Sequence, residues 1–294
     1  MELQEIFNHP HEPIVNGRHR LVLLWAAKAG GTFAVRWFFH HMGLLEEALN
    51  YHHFVHRYRL QVLRTSSSYT AELERFCEHP ADYTVIKVVR SPFARAVSGY
   101  VHSVVNTYED AGISAFLGRP VSAGHSYSFR EYLAYLGPID LTRCNPHHRL
   151  QTHVSELKGL ISPDHVIHLE DSMSLIPALE ERLGLAPSNL IAFRESVHHT
   201  GTTSKYPARF CGDECFALTK KVRQVPPYDL FLDSDIVRRI SSLYVEDIHR
   251  YGYEIPSIDG PGPGLGRRVG QVTRRDRTAG CRDPDPGPAD ASGS

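Results

Sequence analysis

The sequence has no uncharged apolar stretch that approaches the roughly 20 residues of a membrane-spanning helix. Its N-terminal residues lack the positive segment and apolar run of a secretory signal, so we expect a cytoplasmic protein. The five cysteines are scattered, which favours reduced thiols over a disulfide framework. With a formal net charge of −1, the composition gives no indication of a nucleic-acid partner or of binding to an anionic membrane.

Metal-binding patterns are incomplete. The cysteine pair in "CGDEC", residues 211–215, has no second pair that would complete a zinc site. His52 and His56 have a spacing that suits a metal on a helix, but no acidic partner motif lies near them in the sequence. We therefore expect no metal.

One local pattern occurs twice in the N-terminal half. The 294 residues are 41% hydrophobic, which suffices for one large core or two small ones. After a polar lead-in over residues 1–18, the apolar run at 20–26 predicts a buried strand, followed by a glycine-rich loop and a helix. Residues 82–90 predict a second strand, which leads into a helix with Ser91 as N-cap and Pro92 in its first turn. Such units predict an α/β fold with a P-loop-like parallel sheet flanked by helices.

Further elements extend this pattern towards the C-terminus. The stretch 128–131 has the spacing of a capping box, and residues 165–171 predict a third strand. Gly43 and Gly184 stand where the C-terminal caps of two helices are expected. Residues 232–253 predict one C-terminal helix with a continuous apolar face.

The composition changes after Pro256. Residues 257–294 contain almost no large apolar side chains, so burial cannot offset their chain entropy, and we predict a disordered tail. The preceding residues 15–256 then form a single domain.

The loop of the first unit, "AKAGG", combines a lysine with two glycines. The backbone N–H groups at the start of the following helix point outward at the positive end of its dipole, which suits a phosphate. Gly30 and Gly31 let the backbone approach a ligand closely. In triphosphatase loops the lysine follows the glycines, whereas Lys28 precedes them, so it could reach a group leaving the 5′ end of a nucleotide. Glycine turns of this kind also occur as plain structure.

A second anion site is indicated in "RSPFARAVSGY", residues 90–100. Arg90 ends the predicted strand and can make a forked contact with a phosphate. Ser98 follows Ser91 by seven residues, close to two helical turns, so the two serines share a face. Arg90 and Ser98 can hold one phosphate together. Taken alone, they could equally be a solvated arginine and a serine that packs against a neighbouring element.

Together the two segments resemble the sulfotransferase superfamily. "AKAGGTF" is similar to its 5′-phosphosulfate loop, P-K-x-G-[ST]-T, and "VVRSPFARAVSGY" to its 3′-phosphate motif, R-x-P-[FV]-x-R-x-V-S-x-Y. The pattern is most like the carbohydrate sulfotransferase branch, which includes heparan sulfate 2-O- and chondroitin/HNK-1-type enzymes. "NPHHRLQTH" and "LYVEDIHRYGY" also fit that branch, so that the resemblance covers about residues 20–253. Ala27 replaces the usual proline, and Gly31 replaces the usual serine or threonine.

The resemblance implies transfer of a sulfuryl group from 3′-phosphoadenosine 5′-phosphosulfate to an acceptor hydroxyl or amine, without a metal. The acceptor would be a small molecule, a saccharide or a glycolipid. Lys28 would stabilise the charge that develops on the leaving oxygen. The implied nucleotide-binding residues are Lys28, Ala29, Gly30, Gly31, Thr32, Phe33, Arg90 and Ser98.

The transfer also needs a base for the acceptor proton, and histidine suits that role near neutral pH. In the resembling heparan sulfate 2-O-sulfotransferase the catalytic histidine lies in a "YHxH" stretch between the two nucleotide motifs. Tyr51-His52-His53 is similar but one residue out of register. We predict His52, then His53, as the catalytic base, with His147 and His148 as reserves. If the segment is a strand, His52 and His53 face opposite sides and only one can serve.

Two loops are predicted to border the site. Residues 106–127 are the candidate acceptor loop. "TGTTSK", which follows His198 and His199, is the candidate loop closing over the nucleotide.

Two rival functions remain open. A nucleotide kinase would need a lysine and a hydroxyl directly after the glycines, and a magnesium-binding carboxylate at a strand end, and the sequence shows neither. A non-catalytic nucleotide-binding module would keep the sheet and lose the base.

Overall fold

The computed structural model of the chain describes residues 7, 11–122, 126–194, 209–220 and 225–257. The predicted tail beyond residue 257, and "TGTTSK" with His198 and His199 before it, lie outside the described residues. Among the helices that are described, none has the length and apolar character needed to cross a bilayer.

In the described part of the chain, four strands form one sheet in the order β1-β2-β3-β4. The strands are β1 Ile14–Asn16, β2 Leu21–Leu24, β3 Thr84–Val89 and β4 His165–His168. β2, β3 and β4 are parallel, and β1 pairs antiparallel with β2. The three strands predicted from the sequence are confirmed. Because β2 and β3 are parallel neighbours, the loops that follow them lie at the same edge of the sheet.

β1 lies inside the segment that the sequence predicted to be a loose lead-in, and that prediction is wrong. Ile14 and Val15 are fully buried, and the backbone N–H of Val15 donates to the hydroxyl of Tyr69 at 3.2 Å. Just before the strand, the carbonyl of Glu12 accepts from Trp25 Nε1 at 3.1 Å. A strand of three residues is too short to show alternation in the sequence, which is why the pattern missed it.

Helices flank the sheet, which confirms the predicted α/β class. Those in the described residues are α1 Gly31–Met42, α2 Leu45–Tyr51, α3 Val55–Gln61, α4 Ser67–Glu78, α5 Pro92–Asn106, α6 Asp110–Leu117, α7 Phe129–Leu136, α8 Val154–Leu157, α9 Ser172–Leu183, α10 Leu190–Arg194, α11 Ser234–Leu243 and α12 Val245–Tyr251. Gly43 and Gly184 end α1 and α9 in the left-handed conformation, as predicted. The capping box of Ser128 and Glu131 opens α7.

The predicted C-terminal helix is two helices, so the prediction of a single helix over residues 232–253 is wrong. Tyr244 separates α11 from α12 with φ −116° and ψ 29°, outside the helical range. Its hydroxyl donates to the carbonyl of His148 at 2.9 Å. Ile240 and Ile248 are both buried on either side of the break, so the apolar spacing continues across it and hides it in the sequence.

Two apolar clusters hold these elements together. The first joins the sheet to α1, α4 and α9 through side chains such as Trp37, Phe76 and Ile176. The second packs α5, α7, α11 and α12 around Tyr100 and Phe231. The helices that follow β2 and β3 therefore belong to different cores, and the loops that precede them meet where the two cores adjoin.

Candidate active site

The loop between β2 and α1 presents backbone N–H groups to one side. Lys28 and Gly30 are both left-handed, with φ +64° and +77°, and they flank Ala29. The hydrogen-bond ladder of α1 begins only at Ala34, whose N–H donates to the carbonyl of Gly30 at 2.9 Å, and no side chain caps the helix. The first N–H groups of a helix have no partner within it. Alternating handedness before a helix start is the backbone geometry of concave anion sites, and the sequence predicts such a site here.

Each glycine of this loop is needed for a different spatial reason. A Cβ on Gly30 would lie 2.6 Å from Leu169 Cδ1, in a left-handed conformation that already disfavours a side chain. A Cβ on Gly31 would lie 2.7 Å from Cε3 of Trp25. The Trp25 ring thus fills the space of a side chain at position 31. This explains why glycine replaces the serine or threonine of the resembling loop.

Arg90 follows β3 and touches the loop after β2. Its Nη1 donates to the carbonyl of Lys28 at 3.2 Å, and its guanidinium lies 5.5 Å from the centre of the Tyr228 ring. The side-chain amide of Gln151 pairs with both backbone groups of Arg90, at 3.0 and 2.8 Å. A guanidinium has five N–H donors, so the contact with Lys28 leaves capacity for a phosphate. The two predicted phosphate motifs are therefore in direct contact.

A polar stripe runs from the start of α5 along one of its faces. Ser91, Arg95, Ser98 and His102 follow one another at spacings of four, three and four residues. Arg95 is 2% exposed, and its Nε donates to the carbonyl of Ala27 at 3.0 Å. Within the described residues, Nη2 of Arg95 has no hydrogen-bond acceptor. The sequence analysis gave no role to Arg95, although it is the second arginine of the quoted motif, or to His102, although the helical spacing of polar residues opposite an apolar face was visible.

Ser91 and Ser98 occupy this stripe in different ways. Ser91 stands directly before α5, as predicted, but its side chain makes no cap. Its backbone N–H instead donates to Glu170 Oε1 at 2.8 Å. Ser98 is buried and lies six residues after Pro92, about 9 Å along the helix axis. Because Ser98 follows Arg95 by three residues, the two side chains share a helix face. Arg95 contacts Ala27 in the loop between β2 and α1.

Residues 145–153 lie across the stripe on α5. The imidazole of His147 stacks on that of His102, with ring centres 4.0 Å apart and planes at 21°. The Tyr108 ring lies 5.4 Å from His147. A Cβ on Gly99 would lie 3.1 Å from the carbonyl oxygen of His147, so the missing side chain at position 99 permits this approach. The reserve base candidate His147 is therefore beside the nucleotide motifs.

Both histidines of "PHHR" have pKa values lowered to about 4. Burial is the main cause for each, because it disfavours the charged imidazolium. For His147, the nearby positive charges of Lys28 and Arg95 lower the pKa further. For His148, Arg95 is the largest charged contributor. Both imidazoles are consequently neutral at pH 7.

Buried polar groups on β3 and α12 hold the 145–153 segment in place. Asp247 on α12 accepts from the backbone N–H groups of Gln151 and Thr152 at 3.0 and 2.9 Å. Lys87 on β3 donates to the carbonyl of Gln151 and to Glu156, both at 2.6 Å. Lys87 and Glu156 have fully buried side chains. Lys87 and Asp247 thus join the 145–153 segment to β3 and to α12. Removing Lys87 would leave the buried charge of Glu156 without its partner.

The predicted base residues His52 and His53 lie in the turn between α2 and α3. This turn is not a strand, so the condition under which the two side chains would face opposite sides is not met, and their ring centres are 4.1 Å apart. The Nδ1 atom of His52 accepts from the N–H of Phe54 at 2.9 Å. The carbonyl of His53 accepts from Arg36 on α1 at 3.4 Å, and the side chain of His53 is exposed.

The predicted acceptor loop over residues 106–127 contains α6, and Tyr108 at its start contacts the two stacked imidazoles. Among the described residues, no group of three or more His, Cys, Asp or Glu side chains could hold a metal ion. Cys77, Cys144, Cys211 and Cys215 are free thiols.

The fold and the two loops define an α/β protein whose strand–loop–helix units resemble those of phosphate-loop proteins. The family model described as "Sulfotransferase family" matches residues 11–254, which include both loops and the 145–153 segment. The chain belongs to the sulfotransferase family and is a sulfuryl-transferring enzyme by that membership. Searches of curated proteins and of solved structures gave no significant match.

Proposed function

We propose that this sulfotransferase takes its sulfuryl group from 3′-phosphoadenosine 5′-phosphosulfate and transfers it to a hydroxyl of a carbohydrate or glycoconjugate. The observation that carries the proposal is the contact between Arg90 Nη1 and the carbonyl of Lys28. It joins a backbone anion site and a side-chain anion site at one edge of the sheet. A nucleotide with phosphate on both its 5′ and 3′ positions needs two such sites side by side.

The residues of each site suit one end of that nucleotide. The N–H groups at the start of α1 and the hydroxyl of Thr32 would bind the 5′-phosphosulfate, and Lys28 would neutralise charge on its bridging oxygen. Arg90 and Ser98 would bind the 3′-phosphate. The left-handed Gly30 supports this fit, because a side chain there would meet Leu169 and disturb the loop.

The acceptor would enter beside the His102, Tyr108 and His147 rings. These residues come from α5, from the predicted acceptor loop and from the 145–153 segment. A carbohydrate hydroxyl is favoured by the resemblance to the carbohydrate branch of the superfamily. The proton of that hydroxyl needs a base, and the sequence prediction offers His52 or His53, with His147 and His148 in reserve.

Calorimetry with adenosine 3′,5′-bisphosphate and adenosine triphosphate tests the nucleotide part. We expect tight binding of the bisphosphate without magnesium and much weaker binding of the triphosphate. Equal affinities, or a strict magnesium requirement, would favour a kinase-like protein instead.

A transfer assay tests the acceptor part. The ³⁵S-labelled donor is incubated with chondroitin, heparosan, neutral oligosaccharides and a glycolipid, and labelled products are separated. We expect label in at least one saccharide. Bisphosphate binding without transfer to any of these acceptors would favour the non-catalytic module.

A further inference from the structure

We infer that His147 is the catalytic base, and that it removes the acceptor proton through Nε2 while Asn145 and His102 hold its ring. This inference rests on the proposed function, because it names the group that the proposed transfer still lacks. It replaces the predicted base residues His52 and His53, in the α2–α3 turn, by the reserve candidate His147 in the 145–153 segment.

The hydrogen bond to Asn145 determines which nitrogen of His147 carries the proton. Oδ1 of Asn145 lies 3.1 Å from the backbone N of His147 and 2.9 Å from its Nδ1. A backbone N–H can only donate, so the atom it contacts is the amide oxygen, an acceptor. Nδ1 must then carry a proton to bond with the same oxygen. The neutral ring therefore has its lone pair on Nε2.

His52 has the opposite arrangement. Its Nδ1 accepts the N–H of Phe54 at 2.9 Å, so Nδ1 holds the lone pair and Nε2 carries the proton. The lone pair of His52 is already engaged within the turn. His52 would have to break this bond before it could take a proton, whereas His147 presents its lone pair on the nitrogen that does not contact Asn145.

The surroundings of His147 match the task of a base beside a polyanion. The titratable or charged groups around it come from each neighbouring element: Lys28 from the loop after β2, Arg95 and His102 from α5, Tyr108 from the following turn, and His148 from its own segment. Burial, together with the charges of Lys28 and Arg95, lowers the pKa of His147 and keeps its ring neutral when no anion is bound. A bound nucleotide would offset the charges of Lys28 and Arg95, so that His147 becomes a stronger base when the donor is present.

The proposed step balances as follows. The acceptor oxygen forms a bond to sulfur, and the bond from sulfur to the bridging oxygen of the donor breaks. The electron pair of that bond stays on the 5′-phosphate of adenosine 3′,5′-bisphosphate, near Lys28. The acceptor proton moves to Nε2 of His147, and the resulting imidazolium is stacked on His102. The products are a sulfate monoester, the bisphosphate and a proton released later to solvent.

The tautomer and its response to nucleotide can be measured without an acceptor. Histidine is labelled with ¹⁵N, and the signal of His147 is identified by its loss in His147→Gln. We expect the neutral ring to be protonated on Nδ1, with a pKa well below the ordinary value. Adding adenosine 3′,5′-bisphosphate should raise that pKa. Protonation on Nε2, or a pKa unchanged by the bisphosphate, would overturn the inference.

Turnover is then measured with the saccharide that accepts label from the ³⁵S donor. His147→Gln should lower kcat by about 10²–10⁴-fold and leave the Kd of the bisphosphate nearly unchanged. His249→Gln, an exposed histidine on α12, is the matched control. If His147→Gln keeps its turnover while His52→Gln or His53→Gln loses it, the base lies in the α2–α3 turn and the inference is wrong. Absence of transfer by the unmodified protein would instead refute the proposed function.

Two positioning variants separate catalysis from structure. Asn145→Asp places a carboxylate against Nδ1 of His147, which raises the pKa of the imidazole. The acidic limb of the pH–kcat profile should therefore move to higher pH. His102→Phe keeps a ring to stack on His147 and should retain more turnover than His102→Ala. A profile unmoved by Asn145→Asp would contradict the role of His147.

Discussion

The two strand–loop–helix units reach the same edge of the sheet, and the anion sites that we propose for them use backbone groups in one unit and side chains in the other. The unit of β2 and α1 would use the backbone N–H groups of a loop that is left-handed at Lys28 and Gly30. The unit of β3 and α5 would use the side chains of Arg90 and Ser98. A backbone site is damaged by adding atoms, and a side-chain site by removing them. The family motifs therefore require glycine in one unit and named polar residues in the other.

The second unit also supports the first. Arg90 and Arg95 donate to the carbonyls of Lys28 and Ala27, at 3.2 and 3.0 Å. A left-handed residue other than glycine costs roughly 1–2 kcal/mol, so the conformation of Lys28 needs such contacts. Turning these two carbonyls towards the arginines orients the adjoining peptides of the first loop. The two sites thus form one unit, and the following variants separate their contributions.

Among the variants of the two loops, Lys28→Ala is expected to have the largest effect. Its charge acts on the leaving oxygen, so kcat should fall by about 10²–10³-fold while the Kd of adenosine 3′,5′-bisphosphate changes little. Turnover and calorimetry measure the two quantities. Lys28→Gly removes the same charge and relieves the left-handed strain, so equal losses in both variants would assign the effect to charge. Unimpaired turnover in Lys28→Ala would refute this role.

Gly30→Ala tests the backbone site by adding one methyl group. The left-handed conformation and the contact with Leu169 should together cost about 2–4 kcal/mol in unfolding free energy, and bisphosphate affinity should fall. Urea unfolding and calorimetry measure both. Gly43→Ala is the matched control, since Gly43 has a similar φ of +73° and no neighbour within 4 Å. It should lose some stability but no affinity, and the same pattern in Gly30→Ala would contradict a backbone site.

Arg90→Ala tests the side-chain site. Losing a charged hydrogen bond to phosphate should cost about 1.5–3 kcal/mol, or about 10–150-fold in the Kd of the bisphosphate. Arg90→Lys keeps the positive charge but lacks the paired N–H donors of a guanidinium. Its Kd for the bisphosphate, measured by calorimetry, should lie between those of the unmodified protein and Arg90→Ala. If Arg90→Ala binds as tightly as the unmodified protein, the 3′-phosphate lies elsewhere.

The smallest effect is expected from Ser98→Ala. A single neutral hydrogen bond contributes about 0.5–1.5 kcal/mol, so the Kd should rise by about 2–12-fold. Because Ser98 and Arg90 would hold one phosphate, the double variant should lose less affinity than the sum of the single losses. Strict additivity in calorimetry would show that the two side chains act on different groups.

Local patterns predicted the parts of the fold that have strong local signals. The strands β2, β3 and β4, the glycine caps at Gly43 and Gly184 and the capping box of α7 were all visible as short-range spacing. β1 was missed because three residues of strand show no alternation. The break at Tyr244 was missed because apolar spacing continues across it.

In the candidate site too, local motifs were visible in the sequence, whereas contacts between distant residues were not. The two motifs predicted to bind phosphate could be read from the sequence because each lies within about a dozen contiguous residues. The contact of His147 with His102 joins residues far apart in the chain and depends on Gly99, so no local pattern shows it. The tautomers of His52 and His147 depend on hydrogen bonds to Phe54 and Asn145, which the sequence cannot indicate.

The hold of Asp247 on Gln151 and Thr152 has a consequence for synthesis on the ribosome. Chains emerge from the N-terminus, at about 5–20 residues per second in cells, and α12 follows every other described helix. The strands and the two loops proposed to bind phosphate are synthesised before Asp247, and the 145–153 segment lacks its contact with α12 until Asp247 is made. Because Gln151 also pairs with the backbone of Arg90, and α5 packs in one core with α12, Arg90 and His147 would be fixed in place together, at the same late stage of synthesis.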